Sequence, residues 1–459
     1  MKIIKYNIIV LLLVISHSLA AQYKPTWESL DTRPIPSWWE DAKFGIFIHW
    51  GVYSVPAYAP SDEVESVYAK YAEHYMHRLL NKNELFIRHH EKYFGSGFTY
   101  HDFAPMFNAE YFEPDKWADL LQKSGAKYVV LTSKHHDGFC LWNSKHSPNW
   151  NSVVMGPNRD LIGDLSEAVR KKGLRMGLYY SLLEWNHPLY TPSTINEWVD
   201  EHMIPQMKDL VTTYKPEVIF ADGEWDFTSD KLKSEQFLAW LYTESPVKQT
   251  VVVNDRWGIE TRSKHGDYYT TEYDLVHDVV GIGDKAVHPW EESRGIGTSY
   301  GFNQFENTSH YFTSKQLIDL LIEKVGNGGN LLLNIGPQAN GLIPVIMEER
   351  LLDMGKWLNV NGEAIYGTTA WPNRPKDGKE TGVYYTKKGN TLYVICTKWP
   401  AKPVTVNQIK KAGKVSMLGS GVAVKSSKSG NKLIITPPAL NPGNVPCDHA
   451  WVFKIENFE

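Results

Sequence analysis

The chain has 459 residues, a formal net charge of -4 and a sequence pI near 6.5. Its length allows one large domain and a smaller one, because single hydrophobic cores stop growing near about 250–300 residues. A hydrophobic content of 42% with 22% charged residues is typical of a soluble globular protein. The near-neutral net charge argues against a nucleic-acid partner.

The first residues predict a targeting signal rather than a folded element. Lys2 and Lys5 precede an apolar run over 8–15, and small residues at 18–20 suit a cleavage site. We therefore expect a signal peptide over 1–20 and an exported mature protein, periplasmic or secreted. No later segment reaches the roughly 18 apolar residues that a membrane span needs.

Short apolar segments alternate with amphipathic segments between about residues 43 and 366. This order predicts a parallel sheet with right-handed crossovers. Eight strand candidates match a (β/α)8 TIM-like barrel, with a doubly wound open sheet as the alternative. The predicted strands are 43–49, 128–134, 175–181, 218–222, 250–254, 268–272, 291–300 and 330–335, and the clearest helices are 114–123, 165–172, 198–214, 235–243, 315–325 and 344–358.

The character of the sequence changes after Tyr366. Short β-branched or apolar segments, separated by Gly, Pro, Asn and Lys, follow at 383–385, 391–397, 404–406, 432–436 and 450–454. This pattern predicts a C-terminal antiparallel β-sandwich. We therefore divide the mature chain into a catalytic α/β barrel over 21–366 and a sandwich over 367–459.

Polar and aromatic residues gather at the ends of the predicted barrel strands, where active sites of this fold are built. The segment at 218–225, VIFADGEW, is the most informative, since it ends a buried strand on the carboxylate of Asp222. Burying a charge is costly unless a partner compensates. Asp222 either caps a following helix or takes part in chemistry. The other strand-end groups are His49, His135, His136, Tyr179, Arg256 and Glu291.

The histidine pair His135 and His136 allows two interpretations. With His49 and Asp222 it could form a metal site, but strand one offers a single histidine rather than a His-x-His pair, and the three cysteines are not spaced for zinc. Neutral imidazoles that donate and accept hydrogen bonds to sugar hydroxyls are the better use. We therefore expect neither a metal nor a cofactor.

Two carboxylates on different strand ends fit retaining glycoside hydrolysis, in which one attacks the anomeric carbon and the other acts as acid and base. Asp222 is the expected nucleophile. Glu291, which follows Trp290, is the expected acid/base, because an apolar neighbour favours the protonated form. Glu292 is an adjacent rival that spacing cannot exclude.

Taken together, these motifs resemble the α-L-fucosidases of glycoside hydrolase family 29. The matching pieces occur in family order across the barrel region: FGIFIHWG at 44–51, KHHDGF at 134–139, GLYYS at 177–181, DGEW at 222–225, NDRWG at 254–258, WE at 290–291, NLLLNIGP at 330–337 and AIYG at 364–367.

The resemblance implies a retaining exo-α-L-fucosidase that releases terminal fucose from fucosylated oligosaccharides without a cofactor. It implies that Asp222 is the nucleophile and Glu291 the acid/base. The residues implied to bind fucose are His49, Glu73, His135, His136, Trp225 and Arg256, with Tyr179 favoured over Tyr180. A related exo-glycosidase such as an α-L-galactosidase, or a carbohydrate-binding barrel without activity, is the alternative.

Two departures from the family pattern bear on the leaving-group side. The family often has Glu-Trp-Tyr after strand one, whereas this chain has Glu73, His74 and Tyr75. Near residue 300 the family often has Ser-Trp-Gly-Tyr, and here the run is SYGF at 299–302. We therefore expect the aromatic stacking in that part of the pocket to differ.

Overall fold

The computed structural model describes residues 23–273 and 288–459. The predicted signal peptide over 1–20 lies outside the described residues. Within the described ranges, no helix is both long and apolar enough to cross a membrane.

Eight parallel strands form one curled sheet that occupies the centre of the larger domain. They are β1 (Phe44–Ile48), β2 (Tyr128–Lys134), β3 (Arg175–Ser181), β4 (Val218–Asp222), β5 (Val252–Val253), β6 (Tyr269–Glu272), β7 (Trp290–Gly295) and β8 (Asn330–Ile335). Their hydrogen-bonded order is β5-β4-β3-β2-β1-β8-β7-β6. Between β5 and β6 the carbonyl of Val253 accepts the backbone N–H of Asp267 at 3.0 Å, so the sheet curls back on itself there. The predicted α/β barrel is confirmed.

Helices pack around the outside of the sheet, and several of them begin at residues that are favoured at helix ends. Pro114 opens the helix over 114–123, and Thr313 with Gln316 forms a capping box at the start of the helix over 314–326. The helices are α1 (Trp27–Leu30), α2 (Ser37–Ala42), α3 (Tyr75–Leu80), α4 (Glu84–Tyr93), α5 (Pro114–Lys123), α6 (Leu161–Lys171), α7 (Ile195–Glu197), α8 (Ile204–Tyr214), α9 (Ser229–Leu232), α10 (Ser234–Thr243), α11 (Ser314–Gly326), α12 (Val345–Asn361) and α13 (Gly378–Thr381). A π-helical segment, Trp198–Met203, precedes α8, and 3₁₀ turns lie at Val52–Ser54, Val67–Lys70, Ala72–His74, Tyr100–Met106, Thr308–His310 and Gly362–Ala364.

The barrel interior is filled by side chains from alternate strand positions, as a period of two requires. Phe47, Val130, Phe220 and Leu332 belong to this inner cluster, whereas their neighbours pack outward against the helices. The ring of Tyr128 lies so close to β1 that a Cβ at position 45 would come within 2.4 Å of it. Glycine at 45 therefore makes room for a tyrosine in the first interior layer.

The C-terminal region forms two antiparallel sheets around a separate core, which confirms the predicted antiparallel β-sandwich. The strands are β9 (Thr369–Ala370), β10 (Val383–Lys388), β11 (Thr391–Cys396), β12 (Val404–Val406), β13 (Val415–Met417), β14 (Lys425–Ser429), β15 (Lys432–Thr436) and β16 (Trp451–Ile455). One sheet has the order β13-β16-β11-β10-β9 and the other β12-β15-β14. The boundary at residue 366 stays a prediction.

Candidate active site

A cavity of about 450 Å³ opens at the carboxyl ends of the barrel strands. Both the barrel and the loop after β1 contribute to its wall, and the wall is rich in aromatic rings and carboxylates. It is lined by Phe47, His49, Tyr68, Tyr71, Glu73, His74, His135, Tyr179, Phe220, Asp222, Glu224, Trp225, Arg256, Ile259, Arg262, Glu272, Ser293 and Tyr300. Its size suits one sugar ring with part of a neighbour, within the usual range for small-ligand sites.

Asp222 is the last residue of β4, and the chain turns sharply after it because Gly223 adopts a φ of 80°. One carboxylate oxygen, Oδ1, accepts a hydrogen bond from Arg256 Nη1 at 2.7 Å, and Oδ2 accepts one from the Tyr179 hydroxyl at 2.9 Å. Burial would raise the pKa of Asp222, but Arg256 and His136 outweigh burial and hold it well below its usual range. Asp222 is therefore an ionised carboxylate that faces the cavity.

Arg256 binds two carboxylates with one guanidinium. Its Nη1 contacts Asp222, and its Nη2 lies 3.2 Å from Glu272 Oε2. The Tyr71 hydroxyl donates to the other oxygen of Glu272 at 2.7 Å, and Thr270 accepts from Arg256 Nε at 3.0 Å. Because the guanidinium is a rigid planar fork, it holds the two acids close together and fixes their orientation.

Two further carboxylates line the cavity, each with a different partner. Glu73 Oε2 accepts the backbone N–H of Gly301 at 2.8 Å, and burial raises the pKa of Glu73 to about 7. Glu224 Oε1 contacts Arg262 Nε at 2.5 Å, while its other oxygen is buried and has no hydrogen-bond partner within residues 23–273 and 288–459. Burial raises the pKa of Glu224 although Arg262 opposes the shift.

Three histidines of the cavity wall, His49, His74 and His135, are held neutral by burial, which suits hydrogen bonding to hydroxyl groups. Burial lowers the pKa of His49 to about 3, and its Nδ1 lies 2.7 Å from Asn334 Oδ1. Burial also lowers the pKa of His135 and of His74 well below the usual range. Buried His135 Nδ1 has no protein partner among the described residues, so it is available to a ligand.

The structure brings most of the predicted binding residues together. His49, Glu73, His135, Tyr179, Trp225 and Arg256 all line the cavity. His136 does not line it directly; its Nε2 lies behind Asp222, 3.5 Å from Oδ2. Tyr180 points away from the cavity and donates to Gln206 at 2.8 Å, because successive residues of a strand face opposite sides.

Glu291 requires a correction, because it does not reach the cavity. It is the second residue of β7, completely buried, and the Tyr128 hydroxyl donates to its Oε2. Ser293, two residues later on the same face, is the β7 residue that lines the cavity. At a rise of about 3.3 Å per residue, Glu291 therefore lies roughly 7 Å deeper in the barrel.

The rival Glu292 is also excluded from the cavity. It faces the opposite side of β7, where the Thr271 hydroxyl donates to Oε2 and Arg294 Nε lies 3.3 Å from Oε1. The alternation of side chains along the strand separates Glu291 and Glu292, and neither orientation places a carboxylate beside Asp222.

Glu272 is the carboxylate that the sequence analysis missed. It ends the predicted sixth strand, so the rule that strand ends carry the chemistry would have selected it. Glu224 stands in the DGEW motif, yet only its neighbours Asp222 and Trp225 were singled out. Tyr71, Arg262 and Ser293 carry no local signal, because the tertiary fold alone brings them to the cavity.

One group of possible metal ligands lies outside this cavity, in the described part of the chain. Glu184, His187 and His202 place their ligand atoms within 4.8 Å of one another. However, Lys134 Nζ donates to Glu184 Oε1 at 2.7 Å and His202 Nε2 lies 3.1 Å from the same oxygen. A buried ammonium already neutralises this carboxylate, so the group is organised as an ion pair.

Comparison with known proteins decides the family. A model described as alpha-L-fucosidase matches residues 10–363, and one described as alpha-L-fucosidase C-terminal domain matches residues 376–456. The chain belongs to the α-L-fucosidases of glycoside hydrolase family 29. It is therefore a glycoside hydrolase, and α-L-fucosidase activity is its function.

Relatives match along almost the whole chain. The alpha-L-fucosidase of Branchiostoma floridae is 42% identical over 98% of this chain and 99% of its own length. The tissue alpha-L-fucosidase of Homo sapiens is 42% identical over 95% of this chain and 92% of its own. A crystal structure of the Thermotoga maritima alpha-fucosidase with a mechanism-based inhibitor has 38% identity and a TM-score of 0.79, covering 95% of this chain and 100% of that one.

The two departures from the family pattern both fall on the cavity wall. His74 lies among the rings of His136, Trp185 and Trp225, at centroid distances of 5.8, 5.3 and 6.4 Å. The Tyr300 ring lies 4.8 Å from that of His49, and its hydroxyl is 3.0 Å from Ser293 Oγ. An imidazole and a phenol with hydrogen-bonding groups thus replace two indole rings.

Proposed function

We propose that this fucosidase is an exported, retaining exo-enzyme in which Asp222 is the nucleophile and Glu272 the general acid/base. The observation that carries the proposal is the bridge formed by Arg256 between these two carboxylates. Retaining glycosidases need carboxyl groups about 5–5.5 Å apart, so that one can attack the anomeric carbon while the other reaches the leaving oxygen. The binding of both acids to the two terminal nitrogens of one guanidinium supports a close spacing of this kind.

The proposed reaction has two steps, in which Asp222 acts as the nucleophile and Glu272 gives and takes a proton. Asp222 attacks the anomeric carbon as the glycosidic bond breaks, and Glu272 transfers its proton to the leaving oxygen. A fucosyl ester of Asp222 forms, and the negative charge beside Glu272 disappears with it. Glu272, which is ionised after giving up its proton, then removes a proton from water as the water attacks the ester and releases fucose with its original α configuration.

The remaining cavity groups support binding and orientation. Neutral His49 and His135 can each donate and accept hydrogen bonds to sugar hydroxyls. Trp225, which is 46% exposed at the rim, offers a flat apolar face for a sugar or its leaving group. A closed inner wall and an open rim are consistent with removal of one terminal fucose from a larger glycan.

The stereochemistry of the first product tests retention. Proton NMR of an aryl α-L-fucoside hydrolysed by wild-type enzyme should show α-L-fucose before mutarotation produces the β anomer. If the β anomer forms first, the enzyme inverts and the proposed pair is wrong. A parallel assay with the matching α-L-galactoside tests the alternative sugar, and faster cleavage of the galactoside would overturn the assignment to fucose.

Export is supported by the N-terminal pattern of Lys2, Lys5 and the apolar run over 8–15. Mass spectrometry of the protein recovered from a bacterial periplasmic fraction should give an N-terminus at Ala21 or Gln22. Recovery of only the full-length protein from the cytoplasm would contradict the proposal.

A further inference from the structure

The two domains carry opposite charge, although the whole chain is nearly neutral. Residues 367–459 contain fourteen Lys and Arg against five Asp and Glu. The imbalance is sharper within this region, because residues 381–447 contain ten lysines and no acidic residue. Ordinary soluble surfaces intersperse both signs, so a segment of this length with a single sign is unusual.

The three-stranded sheet presents part of this charge on one flat face. In β15, Leu433 and Ile435 point into the sandwich core, so Lys432 and Thr436 point outward. Lys425 of β14 is paired directly with Thr436 and Ser429 with Lys432, and directly opposed residues share a face of a sheet. The outer face is lined by Lys425, Ser427, Ser429, Lys432 and Thr436, with half-buried Ile434 at its centre and Thr405 of β12 beside it.

More lysines surround this face, which we call the basic face. Ile409 donates its backbone N–H to Asn431 at 2.8 Å, which places Lys410 beside the turn that leads into Lys432. Lys428 lies at the same turn and donates to the carbonyl of Gly430 at 2.6 Å. Lys402, Lys410, Lys425, Lys428 and Lys432 are exposed, and none of them forms a salt bridge within the described part of the chain.

The basic face points away from the barrel. The other sheet of the sandwich contacts the barrel helices: Trp357 of α12 donates to the carbonyl of Ala450 at 2.9 Å, and Lys454 of β16 pairs with Glu363 at 2.5 Å. The three-stranded sheet packs against the opposite side of the sandwich core, through Val406, Leu433 and Ile435. Its outer face is therefore free of contact with the catalytic domain.

Protection of an exposed sheet edge explains only part of the pattern. Lysines on edge strands prevent strand-to-strand aggregation, and β14 is such an edge. Edge protection does not require the exclusion of acidic residues from 67 consecutive positions, nor Lys432 on the central strand β15. Glu459 lies at the margin of the face, beside Lys410 and Lys411. The ammonium and hydroxyl donors of β14 and β15 form a surface suited to anionic groups.

We propose that the basic face binds a polyanionic glycan, a polysaccharide that carries sulfate or carboxylate groups. Lys425 and Lys432 are separated by four residues along the paired strands, which is on the order of 13 Å. An extended polymer with repeating charges can contact both ammonium groups and the hydroxyls between them. Binding there would hold the catalytic barrel beside a glycan network, and it does not depend on the catalytic assignments above.

The composition of the face favours a glycan over other polyanions. No aromatic ring alternates with the lysines on this face, and single-stranded nucleic acids bind through such stacking. The face also lacks protruding aromatic or leucine side chains of the kind that insert into a membrane interface. A glycan partner also agrees with a chain whose barrel hydrolyses glycosides.

The test measures binding of the full-length enzyme to dextran sulfate, with neutral dextran as the reference polymer. We expect binding at low ionic strength that weakens steeply with added salt, because exposed charges are screened. The double variant Lys425→Glu/Lys432→Glu should weaken it by about tenfold or more, with kcat/KM for an aryl α-L-fucoside unchanged.

A matched control distinguishes the effect of charge on the basic face from the effect of the net charge of the protein. Lys116→Glu/Lys171→Glu changes the net charge by the same amount on barrel helices, at side chains that are 75% and 60% exposed. This control should weaken binding by less than about twofold. Equal losses in the two double variants, or no binding by the wild type, would overturn the proposal. Binding to phosphatidylglycerol vesicles as tight as to dextran sulfate would also overturn it, in favour of a membrane surface.

Discussion

Two buried carboxylates lie inside the same barrel and have opposite properties. Asp222 ends β4 at the cavity, contacts Arg256 at 2.7 Å, and has a pKa well below its usual range. Glu291 is the second residue of β7 and lies deeper in the barrel interior, where the Tyr128 hydroxyl donates a hydrogen bond to its Oε2. Burial raises the pKa of Glu291 to about 8.

The difference shows that burial alone does not identify a catalytic acid. A charged partner keeps Asp222 ionised and reactive, whereas burial without a cationic partner among the described residues lets Glu291 keep its proton at neutral pH. Access separates them as well. A strand contributes to the cavity only through its last inward-facing residues, so a position two residues earlier on the same face belongs to the core.

The largest expected effect comes from removing the carboxylate of Asp222. Asp222→Ala should lower kcat for an aryl α-L-fucoside by about 10⁴-fold, because no other group can form the fucosyl ester. Circular dichroism should show an intact fold. Activity within tenfold of wild type would show that Asp222 is not the nucleophile.

Weakening the bridge between the two cavity acids should have the next largest effect. Arg256→Lys keeps the charge but cannot bind both carboxylates as a planar fork, and we expect kcat/KM to fall by about 10²-fold. Arg33→Lys is the matched control. Arg33 forms a similarly buried ion pair with Asp267, with an N–O distance of 3.0 Å, and this pair does not line the cavity. The control should lower stability and leave kcat/KM unchanged; equal kinetic losses would argue against a specific role for the bridge.

The sequence predicts the sheet better than it predicts the acid/base. The strands over 128–134, 175–181, 218–222 and 330–335 agree with the structure residue for residue, because their apolar runs are uninterrupted. The seventh strand was placed over 291–300 and in fact spans Trp290–Gly295. Both ranges place Glu291 near the amino-terminal end of the strand, away from the cavity, so its expected role rested on its neighbour Trp290 and on the family resemblance rather than on its position in the strand.

Other features that the sequence does not predict also have physical explanations. β14, with the sequence KSSKS, is completely exposed and therefore lacks the apolar alternation that predicts a strand. Glu272 is a miss of another kind, because it ends a predicted strand and the strand-end rule would have selected it; only its contact with Arg256 required the fold. The position of Asp222 was predictable because a carboxylate at the end of an apolar run is a local property of the sequence, whereas Tyr179 was chosen over Tyr180 on the family resemblance.

The raised pKa of buried Glu291 predicts that the stability of the protein depends on pH. Between pH 4.5 and about 8 the folded protein keeps the Glu291 proton that the unfolded chain has lost. The free energy of unfolding therefore falls as pH rises through this window; the contribution of Glu291 is fully present below pH 4.5 and lost above pH 8. We expect this fall in the free energy of unfolding to be roughly 2–4 kcal/mol between pH 4.5 and 8. Glutamine cannot ionise, so Glu291→Gln should abolish it.

Urea unfolding of wild type and Glu291→Gln at pH 5 and pH 8.5 provides the measurement. The variant should gain stability relative to wild type at the higher pH, with activity near neutrality within about threefold of wild type. A constant stability difference at both pH values would contradict a buried protonated Glu291.

The smallest expected effect compares two adjacent tyrosines of β3. Tyr179→Phe removes the hydrogen bond to Asp222 and should lower kcat by about tenfold, since bonds to charged groups contribute about 1.5–3 kcal/mol. Tyr180→Phe removes the bond to Gln206 outside the barrel and should cost about 1 kcal/mol of stability without a change in kcat. The reverse pattern would show that the inward and outward faces of β3 are wrongly assigned.

The central claim is that Glu272, and not Glu291, is the acid/base that works with Asp222. The most direct measurement is the turnover by Glu272→Ala and Glu291→Gln of a substrate with a poor leaving group, and of an activated aryl fucoside with and without azide. We predict that Glu272→Ala loses about 10²-fold or more, and that azide restores turnover of an activated aryl fucoside by forming α-fucosyl azide. Glu291→Gln should stay within about threefold of wild type and should not respond to azide. A folded Glu291→Gln that loses 10²-fold while Glu272→Ala stays active would contradict the claim.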